Sequence, residues 1–141
     1  MKTGQFSEIT LVKGKAWWRI TGAQNVYDEN YKKVDCINRR KILNLITRLL
    51  PIEDYSKDIF DIIRVGDVAF LKHKTEKADL IEIITVLRLL DKFGFLSRLF
   101  GKNFISRYLN SSEIDIDLLE QISKNKKILL KEINNSLNEA L

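Results

Sequence analysis

Apolar residues recur along most of this chain at helical spacing, most densely between Thr75 and Phe100. Leu80, Ile83, Ile84, Leu87 and Leu90 follow the i, i+3, i+4, i+7 rule that gathers side chains on one face of a helix. Ile81, Val86 and Leu89 widen that stripe, which predicts a helix packed on more than one side and central to a bundle. Gly94 then reads as a helix stop, with a second helix starting almost at once.

The same reading extends in both directions. Residues 6–21 predict a β-hairpin. With Lys13-Gly14 as a two-residue turn, Leu11 lies opposite Ala16 and Ile9 opposite Trp18 on one face, while Glu8 meets Arg19 on the other. Adjacent strand residues point to opposite faces, so Trp18 is expected in the core and Trp17 at an edge. Beside Lys15 and Arg19, Trp17 also offers a stacking face for a base or a partner side chain. Residues 22–34 read as a polar loop, and Asp35 as the N-cap of a helix over 36–50. That helix has a broad apolar face, with Arg39, Arg40 and Lys41 together on the other side as a solvated basic face. Pro51 ends it. Residues 52–65 carry a further stripe that Gly66 is expected to stop, and residues 68–71 fit either a helical turn or a strand. Beyond Gly94, inward-facing Phe95, Leu96, Leu99, Phe100, Phe104, Ile105 and Tyr108 leave Arg98, Lys102 and Arg107 as a basic rim. Asp117 and Glu120 have capping-box spacing at the start of a last helix over 117–139. Its polar middle, Ser123 to Lys127, implies either that the two halves bury different faces or that the distal half reaches a partner.

The expected fold is therefore mainly α: a bundle of four to five helices with an N-terminal β-hairpin. At 141 residues the expectation is a single domain over 1–141, with a hairpin at 6–21, a helical core at 36–109 and a C-terminal helix at 117–139. Glu82 and Arg88 interrupt the longest apolar runs, so no stretch approaches the ~20 residues of a membrane helix. The first eleven residues hold no apolar run of the secretory kind, and the single cysteine fits a reducing compartment, so a cytoplasmic protein is expected.

Candidate chemistry is sparse. No P-loop, dinucleotide fingerprint, HExxH or CxxC occurs, and no metal, cofactor or small-molecule substrate is called for. Cys36 and His73 are the one conceivable nucleophile–base pair, without a visible orienting group or oxyanion site. An enzyme is not expected. The 24 basic and 19 acidic residues give a formal charge of +5, which permits contact with nucleic acid or an acidic partner. No block of five like charges demands it.

Two stretches resemble known families. Leu96-Ser97-Arg98-Leu99-Phe100-Gly101, followed by Ile105-Ser106-Arg107-Tyr108-Leu109, looks like the turn and recognition-helix ending of a helix-turn-helix. That likeness implies Ser106 and Arg107 offered to a major groove. The interval from Gly101 to Ser106 is about two residues short, which turns the second helix by roughly half a revolution. A broader likeness covers residues 42–101. Leu50-Pro51 ends one helix, another helix and a loop follow, and a longer helix runs into Gly94-Phe95-Leu96-Ser97-Arg98-Leu99. This arrangement resembles the effector-associated domains of bacterial conflict systems, small death-fold-like helical adaptors. The hairpin in front and the long helix behind depart from that pattern. The resemblance implies a bundle that pairs with a like domain on another protein, in a prokaryotic defence or mobile-element setting.

The expected role is accordingly a non-enzymatic interaction or adaptor module, with a protein partner or self-association. A small basic nucleic-acid-binding regulator is the alternative. Either role would draw its contact surface from Trp17, Arg39, Arg40, Arg98, Lys102 and Arg107.

Overall fold

The computed structural model describes the backbone of residues 7–13 and 18–25, and residues 36–49, 57–73, 75–96, 108–109 and 113–140. The chain divides into two compact units, Met1–Asp35 and Cys36–Leu141. In the first, strands β1 (Ser7–Lys13) and β2 (Trp18–Asn25) pair antiparallel. Leu11 lies opposite Ile20 and Ile9 opposite Ala23, so at Leu11 the ladder is displaced four residues from the register that a turn at Lys13-Gly14 would set. A bulge between Thr10 and Leu11 leaves Thr21 as the extra residue. The turn on which a hairpin over 6–21 depends, residues 14–17, lies outside the described residues.

The second unit is mainly helical. Its elements are α1 (Ile37–Leu49), α2 (Lys57–Lys72), a 3₁₀ turn (Thr75–Lys77), α3 (Ala78–Lys92), α4 (Ile116–Lys124) and α5 (Lys126–Ala140). Every residue of α3 from Leu80 to Leu90 is buried except the half-buried Glu82. A helix apolar all round must be surrounded, and α3 packs against α1, α2, α4 and α5. Ile84, Leu87, Leu89 and Leu90 are fully enclosed, each worth about 1.5–3 kcal/mol of burial. The helix closes in a Schellman turn: Phe95 N–H donates to Leu90 carbonyl O (2.9 Å) and Gly94 N–H to Asp91 carbonyl O (3.0 Å). Gly94 takes φ +77°, the left-handed conformation such a turn requires.

Two expected boundaries are corrected. Gly66 does not stop α2, which continues to Lys72 and takes in residues 68–71 as helix. Its glycine serves packing instead, because a Cβ there would lie 3.1 Å from Thr85 Oγ1 on α3. The helix expected over 117–139 is two segments meeting at Asn125 (φ −108°, ψ 14°). Asn125 N–H still bonds Gln121 carbonyl O and its own carbonyl accepts from Leu129 N–H, so the chain bends there rather than reversing. The N-cap of α4 is Asp115, whose Oδ1 accepts from Leu118 N–H at 2.8 Å, rather than Asp117. Asp35, Leu50-Pro51 and residues 97–107, on which other expected caps and both family resemblances partly rest, lie outside the described residues. Among the described residues no helix is long and apolar enough to cross a membrane.

Candidate functional site

The helical unit carries a groove of about 590 Å³ whose lining comes from α1, α3 and α5. Each helix supplies one face. Lys41, Asn44, Leu45 and Arg48 come from α1, and Asp79, Glu82, Ile83 and Val86 from α3. Both sets have the i, i+3, i+4, i+7 spacing of a single helical face. On α5 the lining residues are Lys126, Leu130, Ile133, Asn134 and Leu137. The apolar members are graded in depth. Ile83, Val86 and Ile133 are buried, Leu45 and Leu137 half-buried, and Leu130 is 37% exposed.

Charge sits around that floor. Lys41 and Arg48 on one wall and Lys126 on the other are exposed, and among the described residues none of the three forms an ion pair. The two carboxylates differ. The buried Asn38 amide donates to Asp79 Oδ1 (2.8 Å) and Glu82 Oε2 (2.6 Å), so both are held by the fold itself. The groove thus has an apolar floor, a pair of carboxylates on α3 bonded to a neutral amide, and three cations on the α1 and α5 walls.

Of the contact residues read from the sequence, Arg39 and Arg40 are described, and they diverge. Arg40 is exposed on α1. Arg39 is 5% exposed, turned into the unit, and bound to Asp67 through Nε–Oδ1 (2.7 Å) and Nη2–Oδ2 (3.0 Å). The solvated basic face therefore does not include Arg39, and an accessible contact surface cannot use it. Trp17, Arg98, Lys102 and Arg107 lie outside the described residues. Arg48 and Lys126 were missed. Arg48 is seven residues from Lys41 and so on its face, whereas nothing in the sequence brings Lys126 opposite them.

Both halves of the nucleophile–base pair read from the sequence are described. Cys36 is half-buried just ahead of α1. His73 Nε2 lies 3.0 Å from the Ile114 carbonyl O. A carbonyl only accepts, so Nε2 carries a proton and ties the end of α2 to the segment before α4. Among the described residues no group of three or more His, Cys, Asp or Glu gathers as a metal site would require.

A smaller concavity of about 230 Å³ is lined by Asp58, Asp61 and Asp91 with Arg88 and Lys92. Arg88 is buried in the middle of α3. Its Nε donates to the Tyr108 carbonyl O at 3.0 Å, and its Nη2 is enclosed without a hydrogen-bond partner. Burial lowers its pKa below the ordinary arginine value. Comparison of the chain with family models, with curated proteins and with solved structures finds no match.

Proposed function

We propose that this chain is a non-enzymatic protein-interaction module, an adaptor whose docking surface is the groove formed by α1, α3 and α5. The observation that supports this reading is the groove's apolar floor, above all the partly exposed Leu130 beside Leu45 and Leu137. Apolar surface set within a polar rim is the usual anatomy of a protein interface. The resemblance of residues 42–101 to effector-associated domains points the same way, and with it comes a role in a prokaryotic defence or mobile-element system. The competing reading is a small nucleic-acid-binding protein, favoured by the exposed cations Arg40, Lys41, Arg48 and Lys126.

One experiment separates them. Labelled single- and double-stranded nucleic acid is titrated at two salt concentrations, alongside capture of protein partners at physiological salt by the wild type, Leu130→Asp and Ile128→Asp. Ile128 is 51% exposed but does not line the groove, so it controls for added surface charge. The adaptor reading expects no nucleic-acid binding and a captured protein that Leu130→Asp loses and Ile128→Asp keeps. Nucleic-acid binding that weakens steeply with salt, in proportion to the phosphates neutralised, would overturn it.

A further inference from the structure

We infer that the occupant of this groove is an acidic amphipathic helix of a partner protein, an inference that rests on the interaction reading above. Backbone chemistry argues for a helix. The groove is walled and floored by helices, whose N–H and C=O groups bond within their own ladders. It has no strand edge to pair with, so an extended segment would bring backbone polar groups against Leu45, Ile83, Val86 and Leu130 without partners. A helix carries its backbone bonds with it and presents only side chains. The dimensions agree. Lys41 to Arg48 spans ~10 Å of α1 and Lys126 to Leu137 spans ~16 Å of α5 at about 1.5 Å per residue, room for two to three turns. Such a helix is read by apolar anchors at i, i+3, i+4 and i+7.

Charge argues for acidity. Lys41, Arg48 and Lys126 flank the floor from two walls without an ion-pair partner among the described residues. Asp79 and Glu82 keep their charge while accepting from the neutral Asn38 amide, but both stand on α3, whereas the charged residues of the α1 and α5 walls are all cations. Carboxylates flanking an apolar stripe on the incoming helix would meet both walls at once, giving specificity and a faster encounter. A second copy of this chain fits less well, since two molecules of formal charge +5 repel. Nucleic acid would set its phosphates near the cations but leave the apolar floor uncovered.

The test uses two labelled peptides of about 18 residues, ~27 Å as helices, built from alanine with leucine at i, i+3, i+4 and i+7. One carries glutamate beside the leucine stripe and the other lysine at the same positions. Fluorescence anisotropy with the full chain should show the glutamate peptide bound about tenfold more tightly, as expected for a few rim ion pairs. Arg48→Glu with Lys126→Glu should reverse that preference, and Leu130→Asp should weaken both peptides. Equal affinity for the two peptides would overturn the acidic occupant while leaving the groove a protein-docking surface. So would self-association, seen by sedimentation and abolished by Leu130→Asp, because it would make the occupant a second copy. If neither peptide binds and nucleic acid does, the interaction reading falls as well.

Discussion

Arg39 on α1 and Asp67 on α2 form a buried two-pronged ion pair, at 2.7 Å and 3.0 Å, with 6% and 4% of their side chains exposed. It joins two helices that both pack on α3. Breaking such a pair from one side leaves a buried charge without its counter-ion, at about 3–5 kcal/mol. Asp67→Ala should therefore lower the unfolding free energy by that amount, read as a fall in the denaturant midpoint at unchanged m value. Arg39→Lys should recover little, because an ammonium cannot reproduce the planar fork. Arg39→Met with Asp67→Leu should sit closer to the wild type than either single change. A double variant as unstable as the sum of the singles would show that the pair is not the unit of stabilisation.

Gly66 and Thr85 are coupled by close approach. Glycine inside a helix costs about 1 kcal/mol against alanine, so Gly66→Ala would ordinarily stabilise α2. Here the new Cβ would lie 3.1 Å from Thr85 Oγ1, a side chain only 2% exposed and with little room to yield. Gly66→Ala is expected to gain about 1 kcal/mol more in a Thr85→Ala background than alone. Thermal unfolding of the four proteins measures this, and identical effects in both backgrounds would remove the steric account.

Gly94 is constrained by its backbone. Nothing lies within 4 Å of the position a Cβ would take, yet φ is +77°. Gly94→Ala should cost about 1–2 kcal/mol, all of it conformational. Gly94→Asn should cost less, since asparagine enters the left-handed region more readily. Equal losses in chemical denaturation would argue against this.

The central helix and its stop were legible in the sequence because both signals are local: the dense apolar repeat from Leu80 to Leu90, and the glycine after it. Arg39 was misjudged for a physical reason. It lies three residues before Ile42 on the stripe that continues through Ile46 and Leu49, so its spacing said inward while its charge said outward. Asp67, twenty-eight positions away in sequence, reconciles the two. Gly66 misled in the same way, since its use depends on Thr85 of another helix. The groove was half legible. The faces Lys41–Arg48 and Asp79–Val86 each carry helical spacing, but no local pattern says that α5 brings Lys126 and Leu130 to meet them. The bend at Asn125, which divides α4 from α5, registered only as a polar interval.

Asp115 opens α4 by accepting the Leu118 N–H at 2.8 Å. Asp115→Ala should cost about 1 kcal/mol, and Asp115→Asn, which keeps an accepting oxygen, a fraction of that. Amide hydrogen exchange should show the loss first in Leu118 and Leu119, the two N–H groups bonded to the Asp115 side chain and carbonyl. Unchanged protection there would mean that packing of the buried Leu118 and Leu119 holds the helix start without its cap.

Arg88 presents the opposite situation to Arg39, a buried guanidinium whose Nε bonds a backbone carbonyl and whose Nη2 is enclosed without a partner. Burial lowers its pKa, so the folded protein holds that proton less tightly than the unfolded chain does. The sign follows from linkage: the cost of burying the charge is fully present below the lowered pKa and is relieved only as pH rises through it. Arginine stays protonated throughout the neutral range, so the penalty there is constant. Arg88→Met keeps most of the apolar stem and removes the charge, at the expense of the bond to Tyr108. These effects oppose each other, and the net change should stay within about 1 kcal/mol. Arg88→Ala, which also empties the space, should cost several times more. The wild-type-minus-Met difference should be the same near pH 6 and near pH 9. A loss of about 3 kcal/mol or more in Arg88→Met would show instead that the bond to Tyr108 outweighs the cost of burying the charge.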